Sequence, residues 1–368
     1  MKTGWRKPGA DLTRRMATLG LAALGVAPFL ALELPLPFLF GPMLACLVAA
    51  LLGAPLRGAG VASVAARTIL GVAIGATVTP ELLHRLPPML ASAAFIPLYV
   101  AVIGLIGFPF FHRVCRFDRI TAYYAAMPGG LQDMVVFGIE AGADARALSL
   151  IHATRVLIII TLVPVILTHA FDVTLDAPIG LPAAEIPAVE LVVMAAAALV
   201  GWKGGERLGL FGASILGPMI VTAALSLMGF IHHRPPSEAI LAAQFFIGTG
   251  IGVFYVGVTL RELVRDVFSG ILYVLILALL AFVFTQLVTV LDLADPVEGF
   301  LAYAPGGQAE MTVLAIAAGA DLGFVIVHHV LRVLIVITGA PLVARLSRLS
   351  RRAVGAVEDA ATRTRRRG

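Results

Sequence analysis

Two short stretches carry the residues best suited to chemistry. Pro128-Gly129-Gly130 is followed three residues later by Asp133, and Pro305-Gly306-Gly307 is followed three residues later by Glu310. Proline lacks a backbone N–H and glycine tolerates positive φ, so each stretch is expected to break a helix. The N–H groups freed at such a break, and the helix start beyond it, can hold an anion. Asp133 stands among Met134, Val135, Val136 and Phe137. A carboxylate in such company is costly in lipid and points to a proton or cation site. The competing reading is a cap, since Asp and Glu are favoured in a first helical turn. Downstream, His152 and Arg155 lie three apart in an apolar run, as do His329 and Arg332, with His328 adding a second imidazole. Spacing of three puts each pair on one helix face. An arginine in such a helix is expected to face the interior and meet an acid or an anionic substrate. Arg155 could instead hold the fold together by pairing with Asp133 or Asp144. Pro128, Gly129, Gly130, Arg155, Pro305, Gly306, Gly307 and Arg332 are therefore the expected substrate-binding residues. Asp133, Glu310, His152 and His329 are the expected ion-coupling residues.

Enzyme signatures are poor. There is no phosphate-binding loop, nucleophile elbow or HExxH motif. Cys46 and Cys115 have no metal-ligand spacing and imply no disulfide framework. The histidines are scattered apart from His232-His233 and His328-His329, and adjacent histidines diverge on a helix. No cofactor, metal or catalytic residue is expected.

The two stretches are copies of one another, at an offset of 177 residues (305 less 128). The same offset relates Gly71 to Gly248, Gly75 to Gly252, Asp133 to Glu310 and Met134 to Met311. It maps Gly142-Ala143-Asp144 onto Gly319-Ala320-Asp321, His152 onto His329, and Arg155–Thr161 onto Arg332–Thr338. Gly41-Pro42-Met43 recurs as Gly217-Pro218-Met219, one residue out. Biased composition scatters Ala and Leu matches, but it does not match Pro, Gly, His, Arg and acid at one offset, so the chain is an internal duplication. Arg67 has Gln244 as its positional partner, so that charge is not shared between the copies. Gly71, Gly75, Gly248 and Gly252 form small-xxx-small pairs, suited to close helix packing.

The solvent for these elements is a bilayer. Of 368 residues, 60% are hydrophobic and 13% charged, with mean hydropathy +0.98. Soluble domains carry about 25% charge. Ten spans are expected: Met16–Leu32, Leu34–Leu56, Val61–Pro80, Leu86–Phe111, Ala147–Phe171, Pro187–Trp202, Leu208–Ile231, Ala239–Leu260, Leu272–Leu291 and Gly323–Ala344. Ile120–Ile139 and Glu298–Ala317 are apolar but broken by Pro-Gly-Gly. The net charge of +5 is concentrated at the termini, in Lys2, Arg6, Lys7, Arg14 and Arg15 and in eight arginines from Arg345 to Arg367. That placement suits cytoplasmic anchors and not a nucleic-acid surface. A basic start before an apolar stretch resembles a signal peptide, but no small-x-small cleavage site follows, so the segment reads as a retained first helix.

Loop charge sets orientation. The loop His112–Arg119 carries Arg113, Arg116 and Arg119, whereas its counterpart carries Asp292, Asp295 and Glu298. The linker holds Asp172, Asp176 and Glu185. With both termini inside, these loops agree if each unit crosses an odd number of times and its Pro-Gly-Gly segment enters and leaves by one side; the alternative, with the same parity, has the Pro-Gly-Gly segment crossing and another weak segment not crossing. The expected fold is all-α and polytopic: two inverted repeats of about five transmembrane helices, each with one re-entrant segment, as in many secondary transporters. Its expected parts are a cytoplasmic tail (1–15), a first repeat (16–171), an extracytoplasmic linker (172–186), a second repeat (187–346) and a basic cytoplasmic tail (347–368). The expected location is a bacterial inner membrane. The expected partners are the lipid bilayer, a small-molecule or ion substrate and a second copy of the chain as a homo-oligomer; nucleic acid is not among them.

The paired Pro-Gly-Gly-x2-[DE]-Met and Gly-Ala-Asp-x7-His-x2-Arg-Val-Leu motifs resemble the AbrB membrane-protein family, over about Thr18 to Leu346. That resemblance implies a duplicated membrane module and the family's labels, regulator of gene expression or ammonia monooxygenase. The residues themselves favour a secondary transporter or exporter of a small anionic solute. A membrane sensor acting on gene expression is the second reading, and a membrane monooxygenase the third.

Overall fold

A computed structural model describes residues 8–210 and 212–347. The basic residues Lys2, Arg6, Lys7 and those from Arg348 onward lie outside the described residues. Among the described residues the elements are helical. The first unit runs α1 (Pro8–Ala31), α2 (Pro37–Leu51), α3 (Val61–Gly75), α4 (Pro80–Ala93), α5 (Ile96–Pro109), α6 (Arg119–Ala126), α7 (Leu131–Ala141) and α8 (Ala145–Ala170). The second runs α9 (Ala188–Arg207), α10 (Ala213–Leu227), α11 (Ser237–Val253), α12 (Leu260–Glu262), α13 (Phe268–Val290), α14 (Pro296–Tyr303), α15 (Gln308–Ala317) and α16 (Leu322–Leu346). A π turn, Phe110–Val114, extends α5, and another, Leu263–Val267, joins α12 to α13. α1 starts inside the segment read as an N-terminal tail, and Asp11 on its first turn pairs with Arg15 and Arg57.

The duplication reappears in the elements. α6, α7 and α8 begin at residues 119, 131 and 145, and α14, α15 and α16 begin 177 residues later at 296, 308 and 322. Asp144 and Asp321 occupy matching N-caps, each accepting from backbone N–H groups of the helix it starts.

Among the described residues, five helices are long and apolar enough to cross a membrane: Met89–Val114, Ala145–Ala170, Ala188–Arg207, Leu260–Val290 and Leu322–Leu346. Leu24, Leu105, Val192 and Leu279 point outward from the bundle, as lipid-facing residues would. The four helices expected from Leu34–Leu56, Val61–Pro80, Leu208–Ile231 and Ala239–Leu260 are shorter, at 15 to 17 residues. Backbone chemistry stops them. Leu36 (φ 51°) and Pro37 open α2 and Gly53 (φ 90°) follows it, while α10 lies between Gly212 (φ 58°) and Gly229 (φ 75°).

Those four short helices form the centre. α2 packs on α11, and α3 packs on α10, so each unit offers the same surface to the other. The glycines permit it. Gly71 and Gly75 lie on the backbone of Ile215 and Met219, and Gly248 and Gly252 on that of Leu39 and Met43. Each step of four along one helix matches a step of four along its neighbour, so α3 runs parallel to α10 and α11 parallel to α2. Around this centre, α6–α7 and α14–α15 form two short-helix hairpins. The start of each hairpin touches the start of the long helix that follows it. The Asp144 N–H donates to Thr121 Oγ1 at 2.9 Å, and the Asp321 N–H donates to Glu298 Oε1 at 3.3 Å. Each hairpin therefore returns to the level at which it began, and its Pro-Gly-Gly tip lies one eight-residue helix, about 12 Å, further in.

Candidate functional site

The tips pose a backbone problem before a chemical one. Where α6 and α14 stop, their last carbonyls have no N–H partner on the same helix, and a buried orphan carbonyl is costly. Side chains from three directions take them up. His152 Nε2 bonds the Tyr124 carbonyl at 3.1 Å, and His329 Nε2 bonds the Leu301 carbonyl at 2.9 Å. Arg155 donates to the carbonyls of Met127 (3.4 Å) and Gly129 (2.6 Å), and Arg332 to those of Ala304 and Gly306 (both 2.7 Å). The remaining tie crosses between units. The Tyr273 hydroxyl donates to the Ala126 carbonyl at 2.7 Å, and the Tyr99 hydroxyl to the Tyr303 carbonyl at 2.7 Å. Arg332 also donates to His329 Nδ1 at 2.9 Å. An arginine can only donate, so the His329 ring carries its hydrogen on Nε2.

Beyond the tips α7 and α15 begin, at Gly130 and Gly307, with no side-chain cap. The tips and the first residues of α7 and α15 line one cavity of about 370 Å³. Gly129, Gly130, Asp133 and Arg155 of the first unit line it together with Gly306, Gly307, Glu310 and Arg332 of the second. The two guanidinium groups are 3% and 2% exposed, and their Nε atoms are without a hydrogen-bond partner. Among the described residues no ion pair involves either arginine. Two buried cations thus line the cavity. The half-buried carboxylates are the opposing charges. Glu310 folds back over the α-carbon of Gly307, as an N3 acid does at a helix start. Arg67, on α3, lines the same cavity, and its charge reaches both Asp133 and Glu310.

Eight of the twelve expected residues meet at the cavity. Pro128 and Pro305 are buried behind the tips, and His152 and His329 are fully buried against backbone carbonyls, away from the cavity wall. The pairing of Arg155 with Asp133 or Asp144 is replaced by its bonds to carbonyls, because the broken backbone supplies acceptors closer to hand. Asp144 instead caps α8 and lies 3.9 Å from Arg265. Sequence reasoning missed Tyr99 and Tyr273, and it missed the apolar wall of Phe246, Ile247, Ile251 and Phe254 on α11. A tyrosine in an otherwise apolar span needs a hydroxyl partner, and that was the available signal. Among the described residues no group of three or more His, Cys, Asp or Glu is placed to hold a metal ion.

Comparison with known proteins places this sequence among relatives. A family model described as "Transition state regulatory protein AbrB" matches residues 38–348. An Escherichia coli (strain K12) protein named "Putative regulator AbrB" is 26% identical over 329 residues, covering 86% of this chain and 91% of that protein. A Bacillus subtilis (strain 168) protein named "Uncharacterized protein YhjN" is 25% identical over 301 residues, covering 76% of each chain.

Proposed function

The chain belongs to the AbrB family, and from that premise we propose that it is a secondary transporter or exporter that carries a small anionic solute through the cavity between its two units. One observation carries the reading. Two buried arginines that have no carboxylate partner among the described residues, and two helix starts that each carry an acid on the first turn, converge on one cavity from matching places in the two repeats. Buried positive charge at helix N-termini suits an anion. Asp133 and Glu310 stand at the same cavity and are the groups we assign to coupling with H⁺ or Na⁺.

Helix direction supports the inverted arrangement. α11 runs parallel to α2, and α10 parallel to α3. The first half of α3 and the second half of α11 line the same cavity, so these two run against each other. It follows that α10 runs opposite to α2, its own counterpart in the duplication. Opposed repeats around a central site are a transporter arrangement. The hairpins, which begin and end at one level, fit re-entrant segments whose broken tips are tolerated at depth because they line a cavity. With the basic termini and the Arg113–Arg119 loop placed in the cytoplasm of a bacterial inner membrane, the cavity opens inward: the ends of α9 and α11 and the starts of α3 and α10 all fall on that side.

Uptake into proteoliposomes tests the proposal. Flux of at least one solute from a broad anion panel is expected, and it should fall in Arg155→Lys and Arg332→Lys variants that still elute as folded protein. If no anion moves in an Arg155- and Arg332-dependent way, the transport reading is lost. The names of the family and of its Escherichia coli relative favour a second reading, a membrane sensor that acts on gene expression. A deletion strain with altered transcripts, unchanged metabolite pools and no flux in vesicles would select it.

A further inference from the structure

The cavity has two unlike halves, and together they specify a substrate class. The tip half is charged. Arg67, Arg155 and Arg332 face Asp133 and Glu310 there, so three cations meet two carboxylates. With both acids ionised the half carries one excess positive charge, which one negative charge on a ligand neutralises. Glu206, at the rim, is already engaged by Lys203 and by the Trp202 indole N–H. The other half is one face of α11. Ile247, Ile251 and the C-capping Phe254 recur at spacings of four and three and so share that face, with Phe246 beside Ile247. Gly250 lies among them, and a side chain placed there would meet no atom within 4 Å. The absence of a side chain at Gly250 leaves room beside an apolar wall that holds no hydrogen-bonding side chain. A dicarboxylate or phosphate would strand its second charge or its oxygens against this wall, at a desolvation cost.

We infer that the ligand is an amphiphilic monocarboxylate, with its carboxylate at the Pro-Gly-Gly tips and a compact apolar body on the Phe246–Phe254 face, in the space left by Gly250. The inference rests on the anion-site reading and narrows it.

Trp202 lines the cavity and is one of only two tryptophans in the chain. A Trp5→Phe variant of the full chain therefore reports on the cavity through its own fluorescence. The purified protein is titrated with 3-phenylpropionate, acetate, succinate, inorganic phosphate and the neutral 3-phenylpropionamide, with calorimetry alongside. We expect 3-phenylpropionate to bind about tenfold or more tighter than acetate, succinate or phosphate, and the amide to be silent. Gly250→Leu should fill the apolar half and remove most of that advantage. Succinate or phosphate binding as tightly as 3-phenylpropionate would overturn the substrate class and leave the anion site standing. An amide that binds as well as its acid, or silence from every probe by both methods, would overturn the anion site and the substrate class together.

Discussion

Arg155 and Arg332 combine two roles that a sequence reading sets against each other. Each donates to two carbonyls of a broken backbone, which is structural, and each brings a buried positive charge to the cavity lining, which is the functional role we propose. Both roles were legible as alternatives because the duplication singles these residues out among hundreds of apolar ones. Their carbonyl partners were not, since main-chain acceptors leave no mark in a sequence. Tyr99 and Tyr273 escaped for a related reason. They do matching work, yet they are 174 residues apart (273 less 99) and fall outside the constant offset. Their cross-unit ties make a specific expectation. Tyr273→Phe removes the hydroxyl from the Ala126 carbonyl and should cost about 1 kcal/mol, the range of interhelical hydrogen bonds in membranes. Reversible unfolding in mixed micelles measures it, and a cost near zero would mean that the carbonyl finds another donor. Lysine in place of Arg332 keeps the charge but cannot span two carbonyls. That variant should lose stability as well as flux, whereas Glu310→Gln should lose flux or its pH dependence and keep its stability.

At the scale of elements, hydropathy located the helices and local backbone chemistry set their lengths. A 20-residue window sees Leu34–Leu56 as one apolar span, but Pro37 and Gly53 confine α2 to 15 residues. Three of the four short helices, α3, α10 and α11, line the cavity, and α2 packs behind them on α11. Their contact depends on glycine at defined places, and α11 contains its own control. A methyl group at Gly252 would collide with the Met43 carbonyl and the side chain of Cys46, while one at Gly250 meets open space. Gly252→Ala should therefore destabilise the protein by about 1–3 kcal/mol through overpacking. Gly250→Ala should be neutral or stabilising by about 0.5–1 kcal/mol, since alanine is the better helix former. Unfolding midpoints of the two variants decide the matter, and equal effects would contradict the packing described for α2 and α11. The apolar wall on α11 was not legible in advance. Phe246 and Phe254 stand out from nothing in a chain that is 60% hydrophobic, and only the fold shows that they face a cavity and not lipid.

For the whole molecule, two independent lines support the opposed repeats we propose. Loop charge is one: basic residues at Arg113, Arg116 and Arg119 against acidic residues at Asp292, Asp295 and Glu298. Helix direction is the other, and it owes nothing to charge. The backbone marks the two loops as equivalents, with Arg116 at φ 59° and Asp292 at φ 56°. If the repeats are inverted, these equivalent turns lie on opposite faces of the membrane, and single cysteines at the two positions must react from opposite sides. In a background lacking Cys46 and Cys115, Asp292→Cys should be labelled by a membrane-impermeant thiol reagent on intact cells. Arg116→Cys should be labelled only after the membrane is opened. Labelling of both from the same side would make the duplication parallel. The mirrored contacts of α2 with α11 and α3 with α10 would then require a twofold axis along the membrane normal, and a cavity that opens to one side could not be exchanged for its mirror image on the other. Opposite labelling leaves that exchange open, since each unit then presents to one side of the membrane what its counterpart presents to the other. The tip arginines, the one set of buried cations common to both repeats, would stay at the centre throughout.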